Sequence, residues 1–118
     1  MAKHKEDKAS YIDVTSQNFP EQVLNAPQMV IVDFSSDRSS SCQIFNPEFA
    51  AVSEEYQGRV TFAKLDVDTN ETLTSQWNVD GIPTLIFFKN GQEINRIKGI
   101  VMRDKLRRQV EGALLATD

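Results

Sequence analysis

The sequence predicts an α/β protein, a mixed central sheet flanked by helices on both faces, from three observations. Near-continuous apolar and β-branched runs occur at 29–34 and 60–67, the pattern of strands covered on both sides. Stretches with apolar residues at helical spacing lie between and after these runs. Asn90-Gly91 stands between two further apolar runs, the strongest short-range signal for a hairpin. The resulting order is β-α-β-α-β-α-β-β-α. Two βαβ units, an antiparallel hairpin and a closing helix make one mixed sheet.

Each element has its own local reason. Tyr11-Ile12-Asp13-Val14 reads as a short strand, and Thr15 or Ser16 is placed to cap a short helix running to about Asn25. Met29 to Phe34 is the first buried strand. From Ser41 to Tyr56 the residues Ile44, Phe45, Phe49, Val52 and Tyr56 recur at helical spacing, with Pro47 as an expected kink. Gly58 ends that helix. Val60 to Val67 is the second buried strand, followed by a weak helix from about Asn70 to Trp77. Thr84–Phe88 and Glu93–Lys98 form the hairpin. On the last segment Met102, Leu106, Val110, Ala113 and Leu114 mark one apolar face of a helix.

Composition narrows the functional classes. The 118 residues suffice for one domain, and 40% hydrophobic with 25% charged residues is ordinary for a folded chain. Thirteen Lys and Arg against 17 Asp and Glu leave a formal charge of −4, which argues against nucleic acid as a partner. The longest apolar run, Met29–Val32, is far short of the roughly 20 residues that cross a bilayer, so no membrane span is expected. No signal-peptide core follows the polar start, and a cytoplasmic location is expected. Residues 1–10, MAKHKEDKAS, read as a disordered polar tail and residues 11–118 as a single domain. His4 reads as solvated, Trp77 as a packing residue, and Arg103, Lys105, Arg107 and Arg108 as a solvated basic face. No metal-ligand cluster, phosphate loop or other cofactor site is evident. The single cysteine, Cys42, excludes an internal disulfide and an internal CxxC pair.

Four strings carry a resemblance to a known family. Val32-Asp33-Phe34, then Ala63-Lys64-Leu65-Asp66-Val67-Asp68, Gly81-Ile82-Pro83-Thr84 and Phe88-Lys89-Asn90-Gly91 occur in the order and spacing of thioredoxins. The chain resembles the thioredoxin family over about residues 11 to 116, which implies a thioredoxin-like fold and protein-disulfide reductase chemistry. Where the family carries Trp-Cys-Gly-Pro-Cys, this chain has Arg38-Ser39-Ser40-Ser41-Cys42. The resemblance makes Ser39 the counterpart of the attacking cysteine and Cys42 the counterpart of the second. Ser35 and Arg38 stand where the family has tryptophans.

Dithiol exchange needs a thiolate to attack and a neighbouring thiol to release the mixed disulfide. Ser39 cannot form a disulfide, and it serves as a nucleophile only beside an activating base. Its other reading is a helix N-cap. Cys42 reads either as a small buried residue or as a monothiol site made more open by Ser35 and Ser39 and favoured as a thiolate by Arg38. In the resemblance Asp33 is a buried proton relay paired with Lys64; the pair also reads as a structural ion pair. Ile82-Pro83 matches the cis-proline loop and Gly99 a glycine on the same surface. With Arg38, Ser40 and Ser41 they make a groove suited to an extended protein or peptide partner. Two functions are thus expected: a binding protein without dithiol turnover, or an atypical monothiol oxidoreductase using Cys42. Independently of either, the lone thiol allows a Cys42-linked dimer under oxidising conditions.

Overall fold

The computed structural model describes residues 10–117, so the tail expected over 1–10 lies outside the described residues except for Ser10. The Ser10 backbone N–H is tied to the domain, donating to Ser53 Oγ at 3.2 Å. Five strands, β1 (Tyr11–Val14), β2 (Val30–Ser35), β3 (Thr61–Asp66), β4 (Thr84–Lys89) and β5 (Gln92–Lys98), form one sheet in the order β1-β3-β2-β4-β5. The first three are parallel, and β4 and β5 run antiparallel to their neighbours. The helices are α1 (Ser40–Glu55), α2 (Glu71–Gln76) and α3 (Arg103–Ala116).

The central strand β2 is buried at every position because both faces are covered. Ile31 joins Phe45, Phe49 and Val52 of α1 and Leu106 and Val110 of α3 in one core. Val30, Val32 and Phe34 face the other way, against Phe19, Val23, Leu73, Ile86 and Phe88. Alternate residues of one apolar run thus fill two cores, which explains its lack of polar alternation. Trp77 packs edge-on to Phe88 with ring centroids 4.9 Å apart, the packing role expected for it.

Three local expectations change. The first helix is a single π turn, Pro20–Leu24, closed by the Asn25 N–H donating to the Pro20 carbonyl at 2.9 Å. Thr15 and Ser16 do not cap it. Asn18 Oδ1 accepts the Thr15 N–H at 2.7 Å, while the Ser16 N–H and hydroxyl both turn to Asn70 Oδ1. On α1 the buried stripe is Cys42, Phe45, Phe49 and Val52, and Ile44 is 57% exposed. Ile44 lies about 100° around the helix from Phe45, outside that stripe. Met102 is likewise 55% exposed, because it precedes the first turn of α3 and projects past the core. Helix α1 runs continuously through Pro47.

The basic face of α3 is not simply solvated. Arg103 grips Glu48 of α1 through Nε and Nη2 at 3.0 and 3.1 Å. Arg107 grips Glu55 at 2.6 and 2.7 Å. These bidentate pairs fasten α3 along α1.

Candidate functional site

The site is built where β2 ends and α1 begins. Ser39 has extended backbone angles, φ −92° and ψ 125°, and its Oγ accepts the Cys42 N–H at 3.2 Å. Its carbonyl accepts the Gln43 N–H at 3.0 Å. The hydroxyl therefore caps the helix, satisfying one of the donors that a helix start leaves unpaired. Ser40 is exposed and Ser41 half-buried in the first turn. Cys42 is only 5% exposed, so the smaller Ser35 and Ser39 do not open it. Beside it lies a cavity of about 210 Å³ whose lining includes Ser36, Asn46 and Lys64.

Arg38 does not serve the thiol. Its guanidinium engages Asp68, with Nη2 3.0 Å from Oδ1 and Nε 3.4 Å from Oδ2, and Ser36 Oγ donates to the same carboxylate. Arg38 and Ser36 hold the Asp68 carboxyl below the usual carboxylate range. Asp68 thus ties the segment before α1 to the loop after β3. Sequence reasoning missed this role; the acid was visible only as the last residue of the Ala63–Asp68 string.

Asp33 is 1% exposed, and its Oδ1 has no hydrogen-bond partner among the described residues. Burial pushes its carboxyl up to about 7, and the nearby Lys64 charge offsets part of the rise. The two are register partners on neighbouring strands. The direct Asp33–Lys64 ion pair expected from the sequence is nevertheless not formed. The Lys64 ammonium donates to Asn46 Oδ1 at 2.9 Å and lies 4.0 Å from Asp37 Oδ1. The side chain reaches toward the more hydrated rim, where its charge keeps some solvent; it is 20% exposed.

The remaining predicted residues gather at the same end of the sheet. Phe34 pairs with Thr84 and Thr84 with Lys98, which brings the end of β2, the start of β4 and the end of β5 together. The Ile82–Pro83 peptide is cis. The Pro83 carbonyl accepts the Gly99 N–H at 2.8 Å. Gly99 has φ +88°, a left-handed conformation that side chains disfavour, and a Cβ there would meet nothing within 4 Å. Its conformation, not crowding, calls for glycine. The next residue, Ile100, is 41% exposed beside this turn. Among the described residues no grouping of three or more side chains could hold a metal. No helix among them is long and apolar enough to cross a membrane.

A mixed five-stranded sheet, a capped helix carrying a cysteine at its first turn and a buried acid on the strand before it define the thioredoxin-like class. The profile of the Thioredoxin family matches residues 10–112, and the chain belongs to that family. It is 34% identical over 98 residues to the thioredoxin of Synechocystis sp., covering 83% of this chain and 92% of that protein. It is 31% identical over 97 residues to the thioredoxin of Porphyra purpurea, covering 82% and 91%. To the thioredoxin of Chlorobaculum thiosulfatiphilum it is 26% identical over 101 residues, covering 86% and 94%.

Proposed function

We propose that this member of the thioredoxin family binds a protein or peptide partner without dithiol turnover, through the face carrying Arg38, Ser40, Ser41, Ile82, Pro83 and Gly99. The observation that carries the reading is Ser39. Its hydroxyl is engaged as the cap of α1 through the Cys42 N–H, and the chain holds no second sulfhydryl. Without two thiols the chain cannot attack a disulfide and then release the mixed disulfide from within. The cis Ile82–Pro83 peptide, held by the Pro83–Gly99 bond, presents the Ile82 backbone to an extended segment, and the exposed Ile100 adds an apolar contact.

The test is insulin reduction with dithiothreitol or a thioredoxin reductase system. The chain is expected to leave the rate at the reagent background, and clear turnover would refute the reading. Cys42 is the residual thiol, and its burial supports a packing role over a monothiol oxidoreductase. Labelling with a thiol reagent is expected to be much slower in native protein than in denaturant. Equal rates would favour the monothiol enzyme. The reading includes a cytoplasmic monomer, in which a lone thiol stays reduced. A non-reducing gel of native protein is expected to show the monomer, with a Cys42-linked dimer forming only when oxidising conditions meet an opened first turn of α1.

A further inference from the structure

We propose that a cleft at the carboxyl ends of β1, β3 and β2 is a specificity pocket for one cationic head, an ammonium or guanidinium presented by a bound peptide; this rests on the partner-binding reading above. The cleft measures about 290 Å³ and is lined by Tyr11, Asp13, Ser35, Asp37, Lys64 and Asp66. Strand register builds it. Asp13 and Asp33 both pair with Lys64, and Ser35 pairs with Asp66, so these side chains project from one face of the parallel strands. Crevices at the carboxyl ends of parallel strands are the usual place for a ligand in such sheets.

Its chemistry selects charge sign. Three carboxylates line the cleft against one ammonium; Lys64 donates to Asn46 and lies 4.0 Å from Asp37, which leaves Asp13 and Asp66 without an ion pair among the described residues. Among the described residues the Asp66 carboxylate accepts only from the neutral Asp68 N–H at 2.9 Å and the Thr69 hydroxyl at 3.4 Å. Ser35 adds a second, independent observation. It is 2% exposed, and its Oγ has no hydrogen-bond partner among the described residues although it lines this cleft. An unmet buried hydroxyl is costly, and an N–H donor entering the cleft would satisfy it. An anion would meet three carboxylates there, and an apolar group would leave Oγ unmet. The small residue at 35, where the resemblance places a tryptophan, leaves the space. Asp37 and Lys64 line both this cleft and the cavity beside Cys42, so a segment lying across the start of α1 can lower a basic side chain into it.

The test is an amide-shift NMR titration of the full chain with Nα-acetyl-lysine methylamide and Nα-acetyl-arginine methylamide, with the Nε-acetylated lysine compound as neutral control. Saturable shifts are expected at residues 11–13, 35–37 and 64–66, with the neutral control at least roughly threefold weaker, the size of a partly exposed charge contact. Asp13→Asn with Asp66→Asn is expected to weaken binding by a similar factor, and Ser35→Ala by a smaller one. The tighter of the two charged probes identifies the head. Absence of saturable shifts, equal shifts with the neutral control, or binding unchanged in the variants would overturn the proposal. The insulin assay reads Ser39 and Cys42 alone, so failure of the cleft and failure of the partner reading give different results.

Discussion

Asp33 is a carboxyl inside a buried strand whose other side chains, Ser35 apart, are apolar, and burial sets its electrostatics. Its pKa of about 7 in the folded chain lies above the 3.8 of an unperturbed carboxyl. The folded state therefore binds the proton more tightly than the unfolded state. The contribution of Asp33 to stability is greatest below about pH 4, falls as pH rises toward 7, and is flat above it, while the lowered carboxyls of Glu48, Glu55 and Asp68 act the other way in acid. Ionising this group in place costs about 4 kcal/mol by that difference. Asp33→Asn is expected to raise stability at pH 8 and to flatten the pH dependence between 4 and 7, as measured by urea unfolding at several pH values. A variant that keeps the parental slope would show that another group sets it. Ser39 lies at the other extreme, a half-exposed hydroxyl with one structural bond. Ser39→Ala is expected to cost about 1 kcal/mol, the usual worth of such a cap, and Ser39→Asp to cost little.

Helices α1 and α3 form one layer, held by a shared core and fastened at the rim. Phe49 is fully buried, with ring centroids 5.3 Å from Phe62 and 5.7 Å from Phe45 and Tyr11. Phe49→Ala is expected to cost about 3–5 kcal/mol, because a cavity opens where three aromatic rings now touch. Arg107 sits at the rim, 35% exposed, against Glu55 and Asp104. Arg107→Ala is expected to cost far less, with an effect that shrinks in high salt. The segment from Ser36 to Ser39 depends instead on Asp68. Asp68→Ala removes the acceptor of both Ser36 and Arg38. Hydrogen exchange is expected to quicken at residues 36–39 while β2 and β4 stay protected, and unchanged exchange there would remove the anchoring role assigned to Asp68.

For the whole molecule, the fold places a helix start, a buried acid and the Pro83–Gly99 hydrogen bond at the same end of the sheet as position 39. Ser39→Cys places a sulfhydryl at the cap of α1, where the helix start favours its thiolate. Insulin reduction above background is expected from that variant, and its absence would show that Arg38, Ser40 and Ser41 have also altered the site.

Strand and helix order, the hairpin at Asn90-Gly91 and the Ser39 cap were legible from residue order, because periodicity and turn chemistry act between near neighbours. Membership of the thioredoxin family was legible too, from four short strings in register. The facing of Ile44 and Met102, the π turn after Asn18 and the Arg103 and Arg107 clamps were not, since each depends on what packs alongside. The count of one cysteine determined by itself that no dithiol could form within the chain. Only the tertiary structure decided that Cys42 is shielded, that Lys64 turns from Asp33 to Asn46, and that Asp13, Ser35 and Asp66 share a cleft. Those outcomes are set by strand register and burial, which join residues far apart in the chain.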